Sequence, residues 1–376
     1  MLPQLMSNHD RTFNFSAGPA GLPLPALEQA QQEMLNFRGC GASILEISHR
    51  SSAFIDVLDS ARDGIRQLIG ANDDFEVLFL QGGSRLQFSM VPINLLQSDT
   101  DRANYIVTGT WSDKAHQEAA NCHATEVIWS GKENGYSDLP DQTDLQSLVT
   151  SDAAYVYYTS NETIQGVQFQ DELNFTTVPS ICDASSDFLS RPIDLNKYGM
   201  IYACAQKNAG LAGVTIVVIR KDLIHPTINE CPSYLNYRHH ADANSMYNTP
   251  PTFAIYMVDL VCQWLLNDIG GLENMNQINR EKAELLYATI DRLPDMYCGH
   301  AAPANRSLMN VTFRLPSQEL TDLFLKQANE QGLISLQGHR SVGGIRASIY
   351  NSMPHEGVLA LRDFMNSFYT QNSCSR

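Results

Sequence analysis

Three junctions in the 376-residue chain carry residue types that could act together on one ligand. At the first, Phe79-Leu80-Gln81-Gly82-Gly83-Ser84-Arg85 joins an apolar run to a helical pattern through a Gly-Gly turn. Backbone N–H groups at such a helix start can hold a phosphate, helped by the positive end of the helix dipole. Taken alone, a turn of this kind is as readily structural. At the second, Ile181-Cys182-Asp183-Ala184-Ser185-Ser186 places an acid and two hydroxyls at the end of a run, where open α/β sheets bind ligands. An isolated Asp-Ala-Ser-Ser reads first as a helix N-cap. At the third, Ala205-Gln206-Lys207-Asn208 follows another run and leads into a glycine-rich turn, a place where a single lysine is ordinarily solvated. The combination says more than its parts. A lysine that forms a Schiff base needs a carboxylate nearby to keep a pyridine nitrogen protonated, and donors that grip a phosphate. Lys207, Asp183 and Gly82-Gly83 could supply all three in one cleft, the equipment of pyridoxal phosphate (PLP) chemistry. Neither GxGxxG nor GxxxxGK[ST] occurs at this turn, which counts against a dinucleotide or P-loop site.

Elements that could converge these junctions follow from the pattern of apolar runs. Short β-branched runs alternate with helical patterns, and the spacing predicts strands at Phe75 to Leu80, Asn104 to Val107, Thr125 to Trp129, Ala154 to Tyr158, Val178 to Cys182, Met200 to Cys204 and Val214 to Ile219. Together they make a doubly wound, mostly parallel α/β domain. A long apolar helix, Phe253 to Asp268, follows Pro250-Pro251 and ends at Gly270-Gly271. Beyond it the pattern becomes helix (Leu272 to Arg292), strand (Leu308 to Arg314), helix (Leu320 to Glu330), strand (Ile345 to Tyr350) and helix (Glu356 to Thr370), a smaller α+β domain. The expected division is an N-terminal segment, 1–25, associated with the small domain, a large domain, 26–268, and a small C-terminal domain, 269–376.

Composition narrows the function classes. An apolar fraction of 43% and a charged fraction of 18% suit a soluble globular protein of two domains. A net charge of -16 disfavours nucleic acid and anionic membranes as partners. Eight scattered cysteines show no CxxC pair and no Cys/His cluster of ligand spacing, so no metal site is expected and the thiols read as reduced. Met1 to Asn14 has no apolar run of signal-peptide length, and no stretch reaches the ~20 apolar residues of a transmembrane helix. The expected location is the cytoplasm.

Seven stretches, in order along nearly the whole chain, resemble the phosphoserine aminotransferases: Phe13-Asn14-Phe15-Ser16-Ala17-Gly18-Pro19-Ala20, Glu46-Ile47-Ser48-His49-Arg50, Asn161-Glu162-Thr163, Ser190-Arg191-Pro192, Ala205-Gln206-Lys207-Asn208, Tyr247-Asn248-Thr249-Pro250-Pro251-Thr252-Phe253 and the run from Gly338-His339-Arg340 through Arg346 to Asn351. The resemblance implies a fold type I PLP-dependent transferase that forms a homodimer, with active sites built at the subunit interface. It implies that Lys207 carries the cofactor and moves protons, that Asp183 pairs with the pyridine N–H, that Trp111 stacks on the ring and that Thr163 bonds near the ring oxygen. Gly83, Ser84, Arg85, Ser185 and Gln206 fall near the cofactor phosphate in the family pattern, joined by Asn248 and Thr249 of the neighbouring subunit. Arg346 matches the arginine that holds the substrate's α-carboxylate. His49, Arg50, Arg85 and His339 match the group that takes the substrate phosphate or the side-chain carboxylate of glutamate, a dual use suited to the planar fork of arginine.

The implied reaction moves an amino group from L-glutamate to 3-phosphohydroxypyruvate, giving O-phosphoserine and 2-oxoglutarate in serine biosynthesis. Bacterial members of the family also aminate a related four-carbon phosphorylated hydroxy-keto acid for pyridoxine synthesis. Rival readings are another fold type I enzyme, such as an alanine–glyoxylate aminotransferase or a cysteine desulfurase, and a PLP-binding protein without turnover. For single residues the ordinary alternatives stand: Trp111 reads by composition as core, and His49-Arg50 and His339-Arg340 as solvated pairs. Arg340 has no assigned role. Ser84 and Leu86 stand where the family pattern has glycine, Ala184 where an aromatic is usual, and Cys204 and Leu211 for glycine and proline around Lys207. These departures bear on cofactor affinity, and Ser84 could add a hydroxyl donor. None removes a required charge.

Overall fold

The computed structural model describes residues 11–224 and 231–373. The sequence readings on Met1 to Asp10 and on Cys374 lie outside the described residues. Seven runs form one central sheet: β1 (Phe75–Leu80), β2 (Ala103–Val107), β3 (Thr125–Ser130), β4 (Tyr155–Thr159), β5 (Ser180–Asp183), β6 (Met200–Cys204) and β7 (Thr215–Arg220). Their spatial order is β1-β7-β6-β5-β4-β2-β3. All neighbours are parallel except β7, which runs antiparallel to both β1 and β6. The interior strands are buried along their length, as a parallel sheet covered by helices on both faces requires.

Side chains alternate between two apolar layers. Val77, Phe79, Ile106, Val156 and Ile201 face one core, shared with helices Leu24–Glu33, Ser52–Ile69 and Thr252–Gln263. Leu78, Leu80, Tyr105, Tyr155, Tyr157 and Tyr202 face the other, beneath helices Gly83–Leu95 and Thr110–Ala120. The phenols of these four tyrosines on the second face pair their hydroxyls, Tyr105 with Tyr155 at 2.9 Å and Tyr157 with Tyr202 at 2.7 Å, so each O–H has a partner within the layer.

A third apolar cluster lies around the antiparallel sheet Cys298–Gly299, Asn310–Arg314 and Ile345–Ser348, with helices Gln318–Glu330 and His355–Asn372. Phe15 belongs to it, and Phe13–Asn14 pairs in parallel with Leu333–Ile334. Helix Leu272–Arg292 joins the cores, with Leu272 and Met275 in the first and Ala283, Leu286 and Ile290 in the third. The apolar helix expected over Phe253 to Asp268 is α-helical only to Gln263. Its end widens into a π-helix, Trp264–Ile269, closed by a bond from the Gly270 N–H to the Leu265 carbonyl with Gly270 left-handed at φ 80°. The wider turn keeps Leu265 wholly buried.

Candidate active site

The ends of β1, β5 and β6 build one pole of the site. After β1 the chain turns through Gly82 (φ 91°) and Gly83 (φ 64°), a left-handed pair that aims the N-terminus of helix Gly83–Leu95 back across the sheet edge. A Cβ at Gly82 would lie 2.5 Å from Leu86 Cδ2, so Leu86 and Gly82 fit each other, whereas a Cβ at Gly83 would meet nothing within 4 Å. Ser84, expected as a possible extra donor, sets its hydroxyl 2.5 Å from that of Ser185, whose Oγ also accepts the Cys204 N–H at 3.2 Å. Three strand ends are thus tied by one serine.

Asp183 closes β5 and is 3% exposed. Its Oδ1 accepts the Ser185 N–H at 2.9 Å, and burial pushes its carboxyl upward against that bond and the attraction of Lys207. A buried carboxylate in this condition is a site for a cation. Lys207, half-buried after β6, donates from Nζ to Thr163 Oγ1 at 2.8 Å and lies 5.7 Å from the Trp111 ring centroid. Burial works to lower the pKa of its ammonium, but Cys204, Tyr350, Asp183 and Glu162 outweigh burial and hold it above the usual range. Gln206 accepts the Ala20 N–H through its carbonyl at 2.9 Å, and the Phe13–Ala20 stretch wraps over it: a Cβ on Gly18 would lie 3.5 Å from Lys207 Cγ.

Trp111 stands in the first turn of helix Thr110–Ala120, and its indole N–H is buried with no partner. The residue that holds this turn is one that the sequence motifs contained but did not single out. Buried Glu162 accepts the Trp111 N–H at Oε2 (2.9 Å), and the Ser112 N–H and hydroxyl at Oε1 (2.8 and 2.7 Å). Its only sequence signal was its place before Thr163.

Arg346, on strand Ile345–Ser348, has its pKa lowered by burial and forms no ion pair among the described residues. His339 is pushed down by burial, then by the charges of Arg346, Lys114 and Arg340, and its Nδ1 meets the Ser341 hydroxyl at 2.7 Å. Arg85 is exposed without an ion partner among the described residues. His49 and Arg50 precede helix Ser52–Ile69 and, among the described residues, bond to none of the groups around Lys207. Asn248, exposed like Thr249, reaches Gln81 Oε1 at 3.3 Å, beside the glycine turn.

Residues 12–361 match the family model for class-V aminotransferases. The chain belongs to that family. Within it, a phosphoserine aminotransferase of Rhodopirellula baltica is 53% identical over 98% of this chain and 97% of its own length. Among solved structures, a phosphoserine aminotransferase studied for radiation damage of its Schiff base superimposes with a TM-score of 0.93 at 47% identity, covering 96% of this chain and 99% of that one. The PLP-bound phosphoserine aminotransferase of Trichomonas vaginalis gives 0.89 at 40% identity, covering 95% and 100%. This class-V chain therefore has the fold type I architecture and falls with the phosphoserine aminotransferases. PLP fits the residues present: a buried acid short of a cation, an unpaired indole N–H, an accessible lysine amine, and an open glycine turn flanked by two hydroxyls. Among the described residues no helix is long and apolar enough to cross a membrane.

Proposed function

We propose that the protein transfers an amino group between L-glutamate and 3-phosphohydroxypyruvate, with O-phosphoserine and 2-oxoglutarate as the products, as a step of serine biosynthesis. The observation that carries it is the setting of Lys207, held on Thr163 and electrostatically coupled to buried Asp183, in a chain that also keeps Arg346 and Arg85 without ion partners among the described residues. Bound PLP supplies an electron sink for negative charge at the substrate Cα. Asp183 would keep the pyridine nitrogen protonated, the Gly83–Arg85 turn and Ser185 with Gln206 would take the phosphate, and Trp111 would cover the ring. The Lys207 amine would accept the substrate Cα proton and pass it to the cofactor carbon C4′, and would carry it back in the reverse half-reaction. Arg346 fixes the α-carboxylate, and Arg85 with His49, Arg50 and His339 receives the distal phosphate or carboxylate.

The reading includes a homodimer in which His49, Arg50, Asn248 and Thr249 serve the partner's site. Exposed Leu35, Leu45 and Tyr247, flanking those residues in sequence, support it. It includes the division at about residue 268, supported by the separate apolar clusters, and a cytoplasmic location, supported by seven described cysteines that are all free. The test is a half-reaction. L-Glutamate should bleach the visible band of the purified protein and release 2-oxoglutarate, and O-phosphoserine should bleach it as well, while Lys207→Ala does neither. A band that neither substrate changes would mean binding without turnover. A response to alanine but not to O-phosphoserine would assign a different aminotransferase.

A further inference from the structure

Helix Thr110–Ala120 begins without a side chain at its N-cap, because Gly109 occupies that position. The missing cap comes from fifty residues away. Glu162 places three hydrogen bonds on the first turn, from Trp111 N, Ser112 N and Ser112 Oγ, and a Cβ on Gly109 would fall 2.4 Å from the Glu162 Cδ. The Ser112 hydroxyl oxygen also accepts the N–H groups of Thr108 and Gly109, at 2.9 and 3.0 Å. Glu162 itself is fixed by pairing of Asn161–Glu162 with Val167–Gln168. The next residue, Thr163, takes the Lys207 amine. One dipeptide therefore touches both walls of the slot in which the cofactor ring would lie.

We infer that Glu162 is a positioning residue that sets the Trp111 indole relative to Lys207, acting through the N-terminus of the indole's own helix. This rests on the proposed function. Three donors converge on two oxygens at the positive end of a helix, an arrangement made for a carboxylate. Glutamine has the same shape but one acceptor oxygen and an NH2 group, so at least one donor would face another donor. The turn would then shift and carry the indole with it.

The test is a double-mutant cycle on PLP affinity. Cofactor-free wild type, Glu162→Gln, Trp111→Phe and the double variant are titrated with PLP, with thermal unfolding of each cofactor-free protein recorded alongside. Glu162→Gln should raise the PLP Kd about tenfold in the wild-type background and less than about twofold in the Trp111→Phe background, because a strut has no effect once its load is gone. Its tryptophan emission should also differ from wild type before PLP is added. Equal losses in both backgrounds, or an unchanged Kd, would overturn the inference. If Glu162→Gln does not fold, Glu162→Asp, which keeps the carboxylate but withdraws it by one methylene from the turn, replaces it in the same cycle with an expected threefold loss and the same criterion. Wild type that binds no PLP would overturn the proposed function and this inference with it. Wild type that binds PLP while the cycle is additive would overturn this inference alone.

Discussion

Replacing Arg346 by glutamine separates recognition of the substrate backbone from everything else the site does. Arg346 extends from a strand whose backbone is fixed on both sides, by Thr312 across the sheet and by a 2.8 Å bond from its own N–H to the Leu336 carbonyl. The guanidinium is thus held in place by the sheet and not by a counter-ion. Burial disfavours its charge, and a carboxylate brought against it relieves that cost. Removing one partner of such a pair costs about 2 to 5 kcal/mol, or roughly thirty- to several-thousand-fold in kcat/KM. Every substrate of the two half-reactions carries an α-carboxylate, so O-phosphoserine and L-glutamate should lose by similar factors. Arg346→Lys keeps a point charge but not the fork and should fall between. The assay is single-turnover bleaching at varied substrate, with the PLP Kd of each variant as control. His339 gives an independent readout: without the positive charge of Arg346 its imidazole should titrate at higher pH by NMR. A loss confined to one substrate, or a parallel loss of PLP affinity, would refute the assignment of Arg346 to the shared carboxylate.

Arg85→Ala should instead lower kcat/KM for O-phosphoserine by at least about thirtyfold and leave unphosphorylated serine far less affected, since only the former carries the distal anion; equal losses would point to a cofactor role. Inactive Lys207→Ala and Arg50→Ala chains, co-expressed, should recover about a quarter of wild-type activity if sites are shared, because half of randomly assorted dimers are mixed and each holds one intact site. Proven mixed dimers without activity would rule out sharing for this pair. Lys282 is wholly buried, with Nζ donating to the carbonyls of Ile349, Tyr350 and Met353 at 3.0, 2.8 and 3.1 Å, and burial lowers its pKa to about 7. Below that pH both folded and unfolded chains hold the proton; above it, up to the ordinary lysine value, the unfolded chain holds more, so stability rises with pH. Urea unfolding at pH 7 and 9 should show wild type gaining about 2 kcal/mol relative to Lys282→Met, and a pH-independent difference would show that the amine stays charged throughout.

The sheet was readable because its interior strands are buried on both faces, so a run such as Met200–Cys204 stands out as a continuous apolar stretch and was located to the residue, as was the edge strand Phe75–Leu80, interrupted only by Glu76. Other strand ends drift by a residue or two, since the last ladder bond has no compositional mark. Pairings of two residues, such as Phe13–Asn14 with Leu333–Ile334, carry no periodicity and depend on contacts more than three hundred residues apart. The places of Lys207, Asp183 and the glycine turn at strand ends were legible because each directly closes or follows an apolar run. Glu162 and Lys282 were not, for a common reason: a charged residue in a helix or short strand reads as solvated unless its partners are known. Here five of the six partners are backbone groups, which every sequence contains everywhere, and the sixth is the Ser112 hydroxyl.

The antiparallel direction of β7 has a consequence for when the site can come into being. At the sheet edge, β1 has β7 as its only strand neighbour among the described residues, with Leu80 opposite Thr215. While the chain is being made, β1 can pack on helix Ser52–Ile69, whose Arg66 reaches the Phe75 carbonyl at 2.6 Å, but it has no strand to pair with until Thr215–Arg220 has emerged, roughly seven to thirty seconds later at ~5–20 residues per second. The strands bearing Asp183 and Lys207 can zip together in the order of synthesis, β5 against β4 and then β6 against β5. The strand ends that carry Asp183 and Lys207 should therefore be in register before the glycine turn is held at the sheet edge. A nascent chain stalled before β7 would hold its lysine and acid in register yet lack the edge that completes the cup.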